Sequence, residues 1–261
     1  MVIKDYEDFK AVIHDMSGIN LSFYKERQMK RRIDSLIRKN NFNSYHDYVM
    51  ALKANSKLYQ EFINYLTINV SEFYRNPAQW EILNNKILPM LFEKSKSLKI
   101  WSAACSTGEE PYTLAMVLNN YLPLRSIKIL ATDIDSEALE KAKIGLYNRK
   151  SVENVPPKNI IKYFSREGNF YRIKDELKNC IEFKKHNLLK DPYPSDCDLI
   201  ICRNVLIYFT EEAKVDIYKK FNKALKNERI LFVGSTEQII MSYKYNLIPI
   251  ETFFYQKRGD L

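Results

Sequence analysis

A chain of 261 residues that is 46% hydrophobic and 28% charged is long enough for one large domain or two modest ones, and its composition is that of a folded, soluble protein. There is no apolar run of about 18 residues to suggest a transmembrane helix, and the acidic start, Met1 to Asp8, lacks the basic and apolar regions of a signal peptide. The formal net charge of +9 admits nucleic acid, an anionic surface or an acidic protein as partner, while Cys105, Cys180, Cys197 and Cys202 show no C-x-x-C spacing and read as buried thiols in a reducing cytosol, not as disulfides or a zinc site.

The first 75 or so residues read as short helices. Tyr6, Phe9, Ile13 and Met16 recur at helical spacing before Gly18, and Met29, Ile33, Leu36 and Ile37 form the stripe of a second helix. Ser44 and Asp47 make a capping box for a third helix, Ser56 is a cap for a fourth, and Asn76-Pro77 opens a fifth. The second helix is strongly basic. Lys25, Arg27, Lys30, Arg31, Arg32, Arg38 and Lys39 face only Glu26 and Asp34, and Arg27, Arg31 and Arg38 share the side opposite the apolar stripe.

From Leu98 the period changes. Residues 98–104, 127–132, 199–202 and 230–233 are short apolar runs suited to strands buried on both faces, and helical segments at 112–120, 136–144 and 211–225 separate most of them. Alternation of this kind predicts an α/β fold with a mainly parallel sheet and helices on both sides. Residues 250–256 read as an added edge strand. Residues 170–173 and 181–184 read as strands of a small β-insertion at about 160–186. The expected division is a helical domain over 1–70 and a sheet domain over 71–261, with the boundary in the region 69–77.

Ligands of such sheets sit beyond the carboxyl ends of the strands. The first strand leads into Cys105-Ser106-Thr107-Gly108-Glu109-Glu110-Pro111 and then a helix. A phosphate-binding turn needs bare N–H groups and positive charge. Two glutamates repel phosphate and suit a cofactor carrying an ammonium and a sulfonium, as S-adenosylmethionine does. The second strand ends at Asp133, placed 25 residues past Gly108 to accept from ribose hydroxyls, with Ser136 available to cap the next helix. Asn187 and Leu188 suit an adenine edge and face, although a turn asparagine and a core leucine fit equally well. Arg203-Asn204 interrupts a long apolar run where a strand should end, a placement that a site explains better than a core does.

The segments 69–75 (Asn-Val-Ser-Glu-Phe-Tyr-Arg), 101–112, 131–135, 187–189 and 202–209 together resemble, in order and over nearly the whole chain, the CheR family of chemotaxis protein-glutamate O-methyltransferases. The resemblance implies a class I, Rossmann-like methyltransferase sheet with a small β-insertion behind a helical N-terminal domain. It implies S-adenosylmethionine as methyl donor, S-adenosylhomocysteine as product, no metal, and glutamates of chemoreceptors as acceptors. It also implies that Asn69, Ser71 (where the family more often has threonine) and Arg75 close over the cofactor. Ala103 and Gly108 line it, and Glu110, with Glu109 beside it, holds the methionine amino group. Asp133 takes the ribose, and Asn187, Leu188, Arg203 and Asn204 line the adenine and methionine sides.

A glutamate carboxylate is already ionised at neutral pH, so the reaction needs no general base. It needs alignment for in-line displacement, an anion-orienting cation and a hydrogen-bond donor. The resemblance places Arg75 and Tyr208 in those catalytic roles; an interdomain ion pair and an interface aromatic are the plainer alternatives. Arg27, Arg31 and Arg38 become a docking face for the acidic cytoplasmic helical bundle of chemoreceptors, or simply a solvated face. The short segment 164–172 carries one glycine, so tight binding of a receptor's C-terminal peptide is not expected. A cytoplasmic monomer without nucleic-acid partner or membrane insertion is the expectation. The competing readings are a nucleic-acid methyltransferase, which would favour paired prolines where this chain has Cys202-Arg203-Asn204-Val205, and a non-catalytic cofactor-sensing scaffold of the same fold.

Overall fold

The computed structural model describes residues 3–259. Two compact units emerge, Met1–Ile68 with Tyr208–Val215, and Asn69–Ile207 with Asp216–Leu261.

The N-terminal unit holds α1 (Tyr6–Ser17), α2 (Glu26–Lys39), α3 (Tyr45–Ala54) and α4 (Ser56–Thr67). Asp5 caps α1 by accepting from the Asp8 N–H, and Ser44 caps α3 by accepting from the Asp47 N–H. The cap of α4 is Asn55 instead of Ser56: its side-chain oxygen accepts from the N–H groups of both Lys57 and Leu58, and Ser56 is already the first helical residue. Phe9, Ile13, Ile33, Leu36, Tyr48 and Phe62 are buried, and Phe9 and Tyr48 each meet Phe62 edge to face. Met29, Ile33, Leu36 and Ile37 of α2 are buried, while Arg27, Arg31 and Arg38 are exposed on the other side. Residues 208–215 belong here because Lys25 N–H donates to the Tyr208 carbonyl and Thr210 N–H to that of Phe23. The rings of Tyr24 and Phe209 meet at 5.0 Å.

In the other unit, α5 (Pro77–Ile82) continues through a π-helical turn at Leu83–Ile87 into α6 (Leu88–Lys94). Then follow β1 (Ile100–Ala103), α7 (Glu109–Leu118), β2 (Ile129–Asp133), α8 (Ser136–Ile144), β3 (Leu146–Asn148), α9 (Pro157–Tyr163), β4 (Phe164–Glu167), β5 (Phe170–Ile173), α10 (Asp175–Lys178), β6 (Ile181–Lys185), β7 (Cys197–Cys202), α11 (Glu211–Ala224), β8 (Leu225–Val233), β9 (Leu247–Glu251) and β10 (Phe254–Lys257). The first turn of α11 falls in the N-terminal unit. The seven-stranded sheet runs β6-β2-β1-β7-β8-β10-β9. Its first five strands are parallel, and β10 is antiparallel to both neighbours. Trp101 on β1 is fully buried, donates its indole N–H to the Thr132 hydroxyl at 2.9 Å, and packs against Tyr193 and Phe221.

Besides the α4 cap, three expectations change. Residues 181–185 do not belong to the β-insertion: β6 pairs in parallel with β2 at the edge of the main sheet, and the small antiparallel sheet is β3-β5-β4. The alternating exposure of β6 is what an edge strand with one covered face shows, so pattern alone cannot tell its partner. Residues 250–256 form parts of two strands, not one. The chain reverses at Thr252-Phe253, where Phe253 takes φ 70°, so β10 is internal and β9 is the edge. The cap of α8 is Asp135, which accepts from the N–H groups of Glu137 and Ala138, and Ser136 is inside the helix. Among the described residues no helix is long and apolar enough to cross a membrane.

Candidate cofactor and methyl-transfer site

The order β2-β1-β7 places the crevice over the carboxyl end of β1, where the connections leave to opposite sides. The turn there is tightly wound. Ala104 (φ 61°), Ser106 (φ 49°) and Gly108 (φ 94°) all have left-handed backbone, and such conformations persist in non-glycine residues only when the surroundings hold them. Gly108 is glycine for a packing reason: a Cβ there would lie 2.8 Å from that of Ala142 on α8. Ala103 ends β1 and is fully buried.

Asp133, at the end of β2, is buried and accepts from the N–H groups of Ser106 at 2.7 Å and Asp135 at 2.9 Å. Burial raises its pKa from 3.8 to about 6 despite these bonds. Asn69 ties the two strand ends together. Its amide donates to Asp135 at 2.7 Å and accepts from the Ser106 hydroxyl at 2.9 Å. The site is therefore braced by residues 69, 106, 133 and 135.

The two adjacent glutamates have different surroundings. Glu109 is buried, and its carboxylate accepts from the hydroxyls of Thr107 and Ser71. Glu110 accepts from the Ser102 hydroxyl at 2.9 Å and has the Arg203 guanidinium at 3.7 Å, a long ion pair. Burial raises its pKa from 4.5 to about 7. Two carboxyl groups pushed toward neutrality by burial, one in the first turn of α7 and one at the end of β2, make a site short of positive charge. The N–H groups of Ser106 and Gly108 are meanwhile engaged, by Asp133 and by the Cys105 carbonyl. This set of acceptors fits a cationic cofactor with hydroxyl groups and does not fit a phosphate cradle.

Arg203 is 5% exposed and serves first as a tie. It donates to the Arg75 carbonyl at 2.8 Å and to the side-chain oxygens of Gln79 and Asn76, and its guanidinium lies over Phe232 and Trp80. Its Nε is buried without a partner. The charge that interrupts the apolar run thus anchors the start of α5. Arg75 is half-buried and donates to the Val70 carbonyl at 3.1 Å. The side-chain oxygen of Asn187 accepts from the Leu189 N–H, closing a turn, and Leu188 is 7% exposed. Tyr208 is half-buried in the N-terminal unit.

Sequence reasoning missed Glu237, beyond β8. Its buried carboxylate accepts from the N–H groups of Asn204, Leu206, Ile207 and Gly234. Gly234-Ser235-Thr236-Glu237 stands at a strand's carboxyl end, which was the available signal. The four cysteines are buried free thiols, and burial pushes Cys105 and Cys202 well above the usual thiol range. A cavity of about 370 Å³ lined by Lys99, Lys128 and Glu182 lies at the opposite ends of β1, β2 and β6.

The sequence matches the family described as the CheR methyltransferase SAM-binding domain over residues 69–254 and the CheR all-alpha domain over residues 4–67. A chemotaxis protein methyltransferase of Listeria innocua is 42% identical over 255 residues, covering 97% of each chain. That of Borreliella burgdorferi is 37% identical, covering 87% of this chain and 86% of its own. The corresponding protein of Escherichia coli K12 is 36% identical, covering 89% and 83%. Neither the nucleic-acid methyltransferase nor the cofactor-sensing scaffold finds support in these matches. With a SAM-binding domain over its sheet and the family's helical domain before it, the chain belongs to the CheR methyltransferases.

Proposed function

We propose that this methyltransferase esterifies glutamate side chains on the cytoplasmic helices of chemoreceptors, yielding glutamate methyl esters and S-adenosylhomocysteine. The observation that supports it most is the undercompensated pair of buried carboxyl groups, Glu110 in the first turn of α7 and Asp133 at the end of β2. When bound, S-adenosylmethionine supplies an electrophilic methyl group on a sulfonium. Glu110 holds the ammonium, being the less buried of the pair: its side chain is 12% exposed, and Glu109 is 3% exposed. Asp133 accepts from ribose hydroxyls with the lone pairs left by Ser106 and Asp135. Asn69 and Ser71 brace the cofactor side, Gly108 and Ala103 line it, and Asn187, Leu188 and Asn204 line the adenine and methionine portions. Arg203 supports Glu110 and the Arg75 backbone.

The acceptor arrives ionised, so no side chain has to remove a proton. Arg75 orients the incoming carboxylate and Tyr208 donates a hydrogen bond. Both tasks stabilise an anion while water is excluded. Arg27, Arg31 and Arg38 steer the acidic receptor helices from the cytoplasm, and the short β4–β5 hairpin gives no tight tether to a receptor's C-terminal peptide. Calorimetry with such a peptide should show no micromolar binding.

Transfer of labelled methyl groups tests the whole reading. Label on receptor protein that is released by mild base supports the ester. Base-stable label, or label on RNA, refutes it.

A further inference from the structure

Glu237 is 5% exposed and bonded by main-chain amides in place of a cationic side chain. Its Oε2 accepts from Asn204 N–H at 2.6 Å and Gly234 N–H at 2.8 Å, and its Oε1 accepts from Leu206 N–H at 2.6 Å and Ile207 N–H at 3.3 Å. One side chain from the loop after β8 thereby closes the turn after β7. The fit is close. A Cβ on Gly234 would stand 2.4 Å from Oε2 and 2.8 Å from the Asn204 nitrogen, so only glycine lets the carboxylate in. Asn204 itself has φ 62°, a left-handed conformation that the bond to its N–H helps to hold.

We infer that Glu237 is a positioning residue for the cofactor site: by gathering these four amides it sets the path of residues 204–207 and the placement of the Asn204 side chain. This rests on the assignment of Asn204 to the cofactor. The chemistry of the acceptor is specific. Ionised glutamate offers two accepting oxygens, whereas glutamine turns a donating NH₂ toward one pair of N–H groups. Aspartate keeps both acceptors and only shortens the reach.

Glu237→Gln, Glu237→Asp and Asn204→Ala test it by two readouts. The first is amide hydrogen exchange of the empty protein. In the wild type the N–H groups of Asn204, Leu206 and Ile207 exchange slowly. In Glu237→Gln they exchange about tenfold faster or more, while those of β7 stay protected. The second is steady-state kinetics. A merely structural defect lowers the active fraction, and so kcat, at unchanged KM. Lost positioning raises the KM for S-adenosylmethionine about tenfold, with partial recovery in Glu237→Asp. Unchanged KM in Glu237→Gln, or unprotected amides in the wild type, overturns the inference, and the latter needs no variant to fold. Asn204→Ala separates two failures. Raised KM there with none in Glu237→Gln refutes positioning alone, and unchanged KM in both refutes the Asn204 assignment as well.

Discussion

Replacing Glu110 with glutamine should stabilise the empty enzyme and weaken its cofactor binding. Glu110 has a side chain 12% exposed, and burial moves its pKa from 4.5 to about 7 against the pull of Arg203, Ser102 and Arg75, with Glu237 adding repulsion. A folded-state value above the unfolded one means that the native protein binds more protons. The stability this confers is complete below about pH 4.5 and is lost as pH rises through about 7. The shift corresponds to roughly 3 kcal/mol against the ionised form. Glutamine imitates the protonated acid and still accepts from Ser102. At about pH 8.5 the empty variant should therefore melt higher than the wild type, by up to roughly 5–10 °C, and near pH 5 the difference should shrink towards zero. Binding moves the other way. Loss of the anion facing an ammonium should weaken S-adenosylmethionine by about 10- to 100-fold above pH 7. Wild-type affinity should fall as pH drops below about 7, and the variant should lack that component. Asp133, which burial also pushes up to about 6, is common to both proteins, so the difference between them isolates Glu110. Thermal denaturation and calorimetric titration across this range measure both effects. A variant that is less stable at high pH and binds the cofactor unchanged would show that Glu110 is a structural acid.

Arg75→Ala should lower kcat by about 10²-fold or more and Tyr208→Phe by about tenfold, both read from initial rates on receptor; near-normal turnover in both removes their catalytic roles. Charge reversal at Arg27, Arg31 and Arg38 should raise the KM for receptor at low salt, leave cofactor binding untouched, and lose its effect as salt increases. Gly108→Ala, with φ 94° and a 2.8 Å approach to Ala142, should destabilise the protein by about 2–4 kcal/mol, measured by denaturant titration.

The alternation of apolar runs with amphipathic segments was enough to read the parallel sheet, the placing of Asp133 at a strand end and that of Glu110 where the next helix opens. Burial on both faces leaves strands 100–103, 129–133 and 197–202 mostly apolar, with Ser102, Thr132, Asp133 and Asp198 the polar exceptions, and the helices between them are unmistakable. What escaped the sequence was decided by long-range partners. The strand 181–185 carries the same alternation whichever sheet it joins. Asp135 and Ser136 are both good caps, and the helix start differs by one residue. Arg203 reads as a site residue because a lone arginine in an apolar run is costly, yet three oxygens from residues 75–79 gather round one of its nitrogens and tie it to the start of α5. Glu237 lies 33 residues from Asn204, and no local pattern announces a carboxylate whose partners are main-chain amides.

The return of residues 208–215 to the helical unit has a bearing on how this enzyme can be divided. The polypeptide passes from one unit to the other three times, after residues 68, 207 and 215. Severing it at the first crossing would strip Phe209 of its ring neighbour Tyr24 and leave the carbonyl of Tyr208 without the amide of Lys25. The helical part is therefore no removable accessory, and a truncated enzyme beginning at Asn69 would carry an exposed apolar scar beside Tyr208.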